Sequence, residues 1–163
     1  YQCDWSSDVC SSDLARVSRG APMEPPDNAR SLMQTGRYRC WLTVLQPDEA
    51  ATFDDLARAA GIEPLERRWH EVDRAGAESF LTHLLRRSLA YRVELMPEKT
   101  AAGLASQFLD AVGRYGSRFA TNSADRPGHF PYGWEPATEH TMDAGVVAIG
   151  AEGAALYWVA DED

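Results

Sequence analysis

The side chains with the clearest capacity for proton chemistry gather late in the chain. His129 and His140 flank a stretch that also holds Glu139, and Asp143 follows three residues on. A histidine within hydrogen-bond reach of a carboxylate can act as a general base near neutral pH, because imidazole titrates there. One expectation is therefore a small hydrolytic or metal-dependent enzyme with His129 or His140 as base and Glu139 or Asp143 as its partner. The contact it needs is about 2.6–3.2 Å and faces a cleft. His70 and His83 lie on separate elements without a ligand at helical spacing, and read as core-edge or solvated histidines. The sequence contains no GxxxxGK[ST] loop, GxGxxG turn, HExxH helix or GxSxG elbow, so the catalytic assignment stays open and no cofactor or metal is expected.

Between the two histidines runs His129-Phe130-Pro131-Tyr132-Gly133-Trp134-Glu135-Pro136. Proline and glycine restrict the backbone, while aromatic rings offer large contact area at small entropic cost, which suits a binding loop. Phe130, Tyr132, Trp134 and Glu135 are the binding candidates. The alternative is that Phe130 and Trp134 fold inward and cap one end of the core. The tail Asp161-Glu162-Asp163 adds three carboxylates that would attract a basic partner. A run at a chain end lacks the shaped loop that a tight calcium site uses.

Composition bounds these readings. A chain of 163 residues suits one domain able to bury a real core, and 44% hydrophobic with 25% charged residues argues against disorder. The net charge of −9 argues against nucleic acid or an anionic membrane as the main partner, since both need a cationic face. The longest apolar runs are of strand length, short of the roughly 20 residues that a membrane helix needs.

Residues 1–14 show neither helical nor strand periodicity and repeat Ser-Ser-Asp. The stretch CDWSSDVCSSDL resembles translated read-through of a sequencing adapter, of the kind found at the ends of metagenomic gene models. A rival reading pairs Cys3 and Cys10 in a disulfide or half a metal site, without matching ligands downstream. With the segment set aside, Asp4, Asp8 and Asp13 leave the count, giving 22 acidic against 16 basic residues and a net charge of −6. Cys40 is then the lone cysteine, so neither a disulfide framework nor a thiolate cage is expected, and the default compartment is the cytoplasm.

Residues 15–36, with Gly20, Pro22, Pro25, Pro26 and Gly36, read as a flexible leader in which Met23 and Met33 could each be a start. The folded domain is expected over 37–163. Tyr38–Leu45 predicts a strand, and Pro47-Asp48-Glu49 the start of a helix that Gly61 stops. A charged edge strand follows over 65–72, then a helix over 75–88. Leu89, Tyr91, Val93 and Leu95 alternate as one face of a half-buried strand. A third helix opens at Pro97. Val44–Glu49 and Glu94–Lys99 look alike, which we read as convergence of strand-to-helix joints rather than duplication. A short strand at Arg118–Thr121 precedes the irregular stretch 122–139. Two apolar runs, Ala144–Gly150 and Ala154–Ala160, close the chain as a hairpin. The fold class expected is α/β (α+β): one two-layer domain, a mixed sheet under three helices and a C-terminal hairpin. Its core would include Leu42, Val44, Phe53, Leu56, Leu84, Tyr91, Val93, Leu104, Phe108, Val147, Ile149 and Trp158.

The stretch from Trp134 onward, W-E-P-A-T-x-x-T-M-D-A-G-V-V…W-V-A-D-E-D, resembles the C-terminal part of small uncharacterised bacterial domains of immunity-protein type. That resemblance implies a protein-binding module neutralising a basic partner. Enzyme and binding module thus stand as the two expectations.

Overall fold

A computed structural model describes residues 27–36, 38–113, 115–124 and 133–162. The elements are α1 (Asp27–Gln34), β1 (Arg39–Leu45), α2 (Phe53–Ala60), a 3₁₀ turn (Glu66–Arg68), β2 (His70–Val72), α3 (Arg74–Arg86), α4 (Glu98–Asp110), β3 (Arg118–Thr121), β4 (Met142–Gly150) and β5 (Gly153–Asp161). They form a single α+β domain around a five-stranded sheet in the order β1-β5-β4-β3-β2.

Every adjacent pair of strands is antiparallel, where a mixed sheet was expected. The reason is the number of helices between strands. A single helix returns the chain for a parallel strand, but β2 and β3 are separated by two, α3 and α4, which carry it back and forth. β1 and β2, the pair joined through α2 alone, lie at opposite edges and never pair.

Both sheet faces are covered, where one was expected. α1, α3 and α4 pack on the face formed by Ala144, Val146, Ala148, Ala155, Tyr157 and Val159. α2 lies on the other face with Val147, Leu156 and Trp158, joined by Leu65 and Ala137. Successive strand residues point to opposite faces, so two strands apolar at all positions but Asp143 and Asp161 require cover on both sides.

The expected leader contains α1. Ala29 and Met33 are spaced i, i+4 and buried, and the Met33 carbonyl accepts a hydrogen bond from Tyr157 Oη at 2.8 Å. A two-turn helix needs only two such anchors, too few to show as a sustained stripe. Residues 1–26 lie outside the described residues.

α2 begins later than Pro47. Residues 47–49 form a turn, and Thr52 starts the helix through a reciprocal capping box with Asp55. Two satisfied backbone donors outweigh a proline and two acids as a start signal. Gly61 ends the helix at φ 77, as expected.

The alternating Leu89–Leu95 segment is a turn, not a strand. It closes on itself through Ser88 N to Val93 O (3.0 Å) and Leu95 N to Arg86 O (2.8 Å). Arg92 has φ 52, which interrupts extended backbone. Tyr91 and Val93 are therefore 71% and 56% exposed rather than core. Phe53, Leu56, Leu84, Leu104, Phe108, Val147 and Trp158 are buried as expected, while Leu42, Val44 and Ile149 are half-buried beside the core.

With Gly150, Gly145 is one of two crowded glycines of β4. A Cβ there would fall inside the Trp158 indole and against the Tyr157 carbonyl. Gly145→Ala is expected to lower unfolding free energy by about 2–3 kcal/mol, the scale of overpacking a filled core. Urea titration of the full chain checks it; a loss no larger than at the open position Gly103 would contradict the packing account.

Candidate functional site

The limbs by which the chain leaves β3 and returns to β4 are fixed by buried polar groups. Thr121, Asn122, Ser123 and Asp143 are all almost wholly inaccessible. Asn122 Nδ2 donates to the Glu135 carbonyl (3.0 Å), the Asp143 carbonyl (3.1 Å) and Asp143 Oδ1 (3.1 Å), while its Oδ1 accepts from Gly145 N (3.3 Å). Glu135 N donates to the Asn122 carbonyl at 2.8 Å, Ser123 Oγ donates to the Gly133 carbonyl at 2.9 Å, and Ser123 pairs with Trp134 as a β-bridge. The departing and returning limbs are thus stitched together at the sheet.

Asp143 holds the returning limb. Its Oδ2 accepts from Ala137 N (2.9 Å), Thr138 N (2.6 Å) and Thr138 Oγ1 (2.7 Å). Hydrogen bonds to a charged group are worth about 1.5–3 kcal/mol each, against a burial cost of several kcal/mol for the carboxylate. Burial prevails in its titration: it pushes the Asp143 pKa up, with the Thr138 and Ala137 bonds acting the other way. Asp143 has its oxygens committed to this network, so it is a structural anchor and not a base partner for His140.

His140 does contact a carboxylate, but a different one. Its Nδ1 lies 2.6 Å from Glu162 Oε1, and Thr141 Oγ1 donates to Glu162 Oε2 at 2.8 Å. These bonds, His140 first, lower the Glu162 pKa. Only 12% of the His140 side chain is exposed, and its ring sits beside Tyr38 (5.6 Å, edge-on) and Trp41 (6.2 Å). Glu139 points to solvent as an exposed residue. The sequence could have yielded Glu162: the turn at Ala151–Glu152 sets Met142 opposite Asp161, which puts the next pair outward, Thr141 and Glu162, side by side. Asn122 had no such signal.

The acidic tail is not a free patch. Asp161 is 6% exposed and accepts from Leu89 N at 2.6 Å and Ala90 N at 3.3 Å, tying β5 to the 88–95 turn. It belongs to strand β5, so its side chain alternates onto the helix-covered face instead of into solvent. Trp134 and Glu135 are half-buried, and Glu135 Oε2 accepts from Arg68 Nη1 at 3.3 Å. His129, Phe130, Tyr132 and Asp163 lie outside the described residues.

Chemically, a His140 oriented by Glu162 has the contact length of a base pair in general acid–base catalysis. Thr141, the neighbouring hydroxyl, is turned to Glu162 rather than to the imidazole. Three grooves, along α3 at Ser79 and His83, between α1 and α4 at Leu32 and Gln107, and at Asp54, Trp69 and Arg118, do not include His140. Among the described residues no three His, Cys, Asp or Glu side chains gather as metal ligands, and no helix is long and apolar enough to cross a membrane. Comparison with protein-family models, with curated proteins and with solved structures returned no match.

Two outcomes follow. Asp143→Ala strands four donors and is expected to cost about 2–4 kcal/mol in thermal or urea unfolding; a change below the effect of an ordinary surface substitution would contradict the anchoring role. The two carboxyls should respond oppositely to acid. Glu162, lowered on folding, contributes stability above the ordinary glutamate range and loses it as pH falls through its folded value. Asp143, raised, contributes unfavourably above its folded value, and that contribution is relieved as pH falls toward the ordinary aspartate range. NMR titration of the Glu162 carboxyl should show a lowered midpoint that moves back toward the ordinary glutamate value in His140→Ala, the Thr141 bonds keeping the remainder.

Proposed function

We propose that this chain is a protein-binding module that captures a basic partner, in the manner that its resemblance to immunity-type domains implies. The observation that carries this reading is the clamp at the base of the excursion. Asn122, Ser123 and Asp143 are buried polar groups committed to holding both limbs, and such groups are costly unless fully bonded. A loop closed at its base meets its partner with less ordering to do, so more of the contact energy appears as affinity. Trp134 stands at that base as a half-buried aromatic, and the exposed Glu63 and Glu139 flank the chain near it. Glu63 is held there by its N–H bond to the Ala137 carbonyl at 2.9 Å. The net charge of −9 would speed encounter with a cationic protein. With residues 1–14 set aside Cys40 is the lone cysteine of the sequence, which fits a reducing cytoplasm, where we place the pair.

A second reading rests on the 2.6 Å contact of His140 with Glu162. In it the imidazole serves as base in a small hydrolase; loss of turnover in His140→Gln with an unchanged fold would favour it over the first.

The binding reading is tested with a partner captured by the full chain and then purified. Trp134→Ala should weaken the complex by at least ~2 kcal/mol with circular dichroism unchanged. Glu63→Lys with Glu139→Lys should mainly slow association, and that loss should shrink as salt rises. A partner of acidic character, or a Trp134→Ala variant that unfolds alone yet binds normally once stabilised, would sink the reading.

A further inference from the structure

The groove at Asp54, Trp69 and Arg118 has a volume of about 410 Å³. The 3₁₀ turn separates it from the clamped limb. Arg68 reaches Glu135 of that limb at 3.3 Å, while its neighbours Glu66 and Arg67 line the groove. One wall is aromatic: Phe53, the first residue of α2, and Trp69, just before β2, lie 5.8 Å apart between ring centroids. Trp69 stands edge-on against the buried Trp158 at 5.9 Å, and its Nε1 donates to Asp54 Oδ1 at 2.7 Å. The indole is thereby fixed while remaining only half-buried.

The same Asp54 oxygen accepts from Glu66 N at 3.0 Å, so the turn and the indole meet at one atom. Glu66 has φ 56, a left-handed conformation that costs any residue with a Cβ and persists where its surroundings impose it. The strained turn presents an exposed carboxylate to the groove, and among the described residues no group pairs with it. Next to it the groove already holds a cation. Arg118 Cζ lies 4.9 Å from the Phe53 ring centroid, and its Nη2 donates to Glu71 Oε1 at 2.5 Å. An aromatic face below and a carboxylate at the edge suit a planar guanidinium. Trp69 with Glu66 supplies the same two parts without the guanidinium.

We propose, resting on the basic-partner reading above, that this groove receives an arginine side chain of that partner, stacked on Trp69 and paired with the Glu66 carboxylate. Anchors of an interface fill pockets of this kind. Ala137 of the returning limb and Trp69 pack in one cluster on the same face of the sheet, so one partner can reach both. Charge selects the occupant. Asp54, Glu66 and Glu71 line the groove against Arg67 and Arg118, and Arg118 is taken by Glu71. Arg67 opposes an incoming cation and limits its affinity. A lysine would lack the planar group that stacks.

The experiment titrates the full chain with N-acetyl-arginine amide, and with N-acetyl-citrulline amide as its uncharged isostere, while NMR follows the indole Nε1–H of Trp69. The arginine probe should shift that signal saturably, and the citrulline probe should not. Glu66→Gln should weaken the arginine probe at least ~threefold, the scale of one exposed ion pair, and Arg67→Ala should tighten it. Both residues are exposed, so the fold is unaffected. An unmoved Trp69 signal overturns the proposal, as do equal shifts from citrulline or a Glu66→Gln chain that binds as well as the native one. The titration needs no partner protein. Its failure therefore leaves the Trp134 test of the binding function standing, and failure of that function leaves the preference for arginine measurable.

Discussion

The β4–β5 hairpin is inaccessible along nearly its whole length, and that burial constrains the rest of the molecule. Between Asp143 and Asp161 the two strands present apolar side chains alternately to both faces, with Trp158 and Tyr157 the largest. Neither face can be left to water, so helices must come from different parts of the chain to cover each. β1 and β3 flank the hairpin and satisfy its outward backbone groups, which buried strands cannot leave unpaired. Gly145 follows from the same crowding: the Trp158 ring occupies the space its side chain would need.

The two buried aspartates of this interior hold irregular chain against regular structure. Asp143 and Asp161 belong to β4 and β5, and their side chains reach backbone N–H groups of Ala137–Thr138 and Leu89–Ala90. Loop amides without a ladder partner would otherwise be buried unsatisfied, at about 1–3 kcal/mol each. The two aspartates therefore replace, at the open end of the sheet's central pair, the strand partner that the loop lacks. His140 and Glu162 continue this pattern at the surface, closing β4 to the residue after β5.

Several elements are legible in the sequence. The hairpin, β3 at Arg118–Thr121, the charged edge strand, and helices near α2, α3 and α4 all carry local signals: apolar periodicity, a glycine stop, a charged strand. The site was less legible. His140 was readable as a histidine near carboxylates, yet its partner was not Glu139, its neighbour in sequence, nor Asp143, whose oxygens are taken by the 137–138 backbone. Asn122 gave no signal because its role exists only once β3, β4 and the returning loop meet around it.

Local patterning determined the secondary structure of the strongly periodic segments, because side-chain period is a property of a few consecutive residues. Composition likewise determined the charge, which depends on no fold. Tertiary structure alone decided that Leu89–Leu95 is a turn with Tyr91 and Val93 in solvent, and that Asp27–Gln34 is a docked helix. Both are short segments whose own preferences are weak, so what they pack against settles them. It also decided the fate of the carboxylates. A charge on a sequence reads as solvated until folding brings backbone donors to it, and for Asp143 and Asp161 those donors come from chain segments that only the completed sheet places beside them.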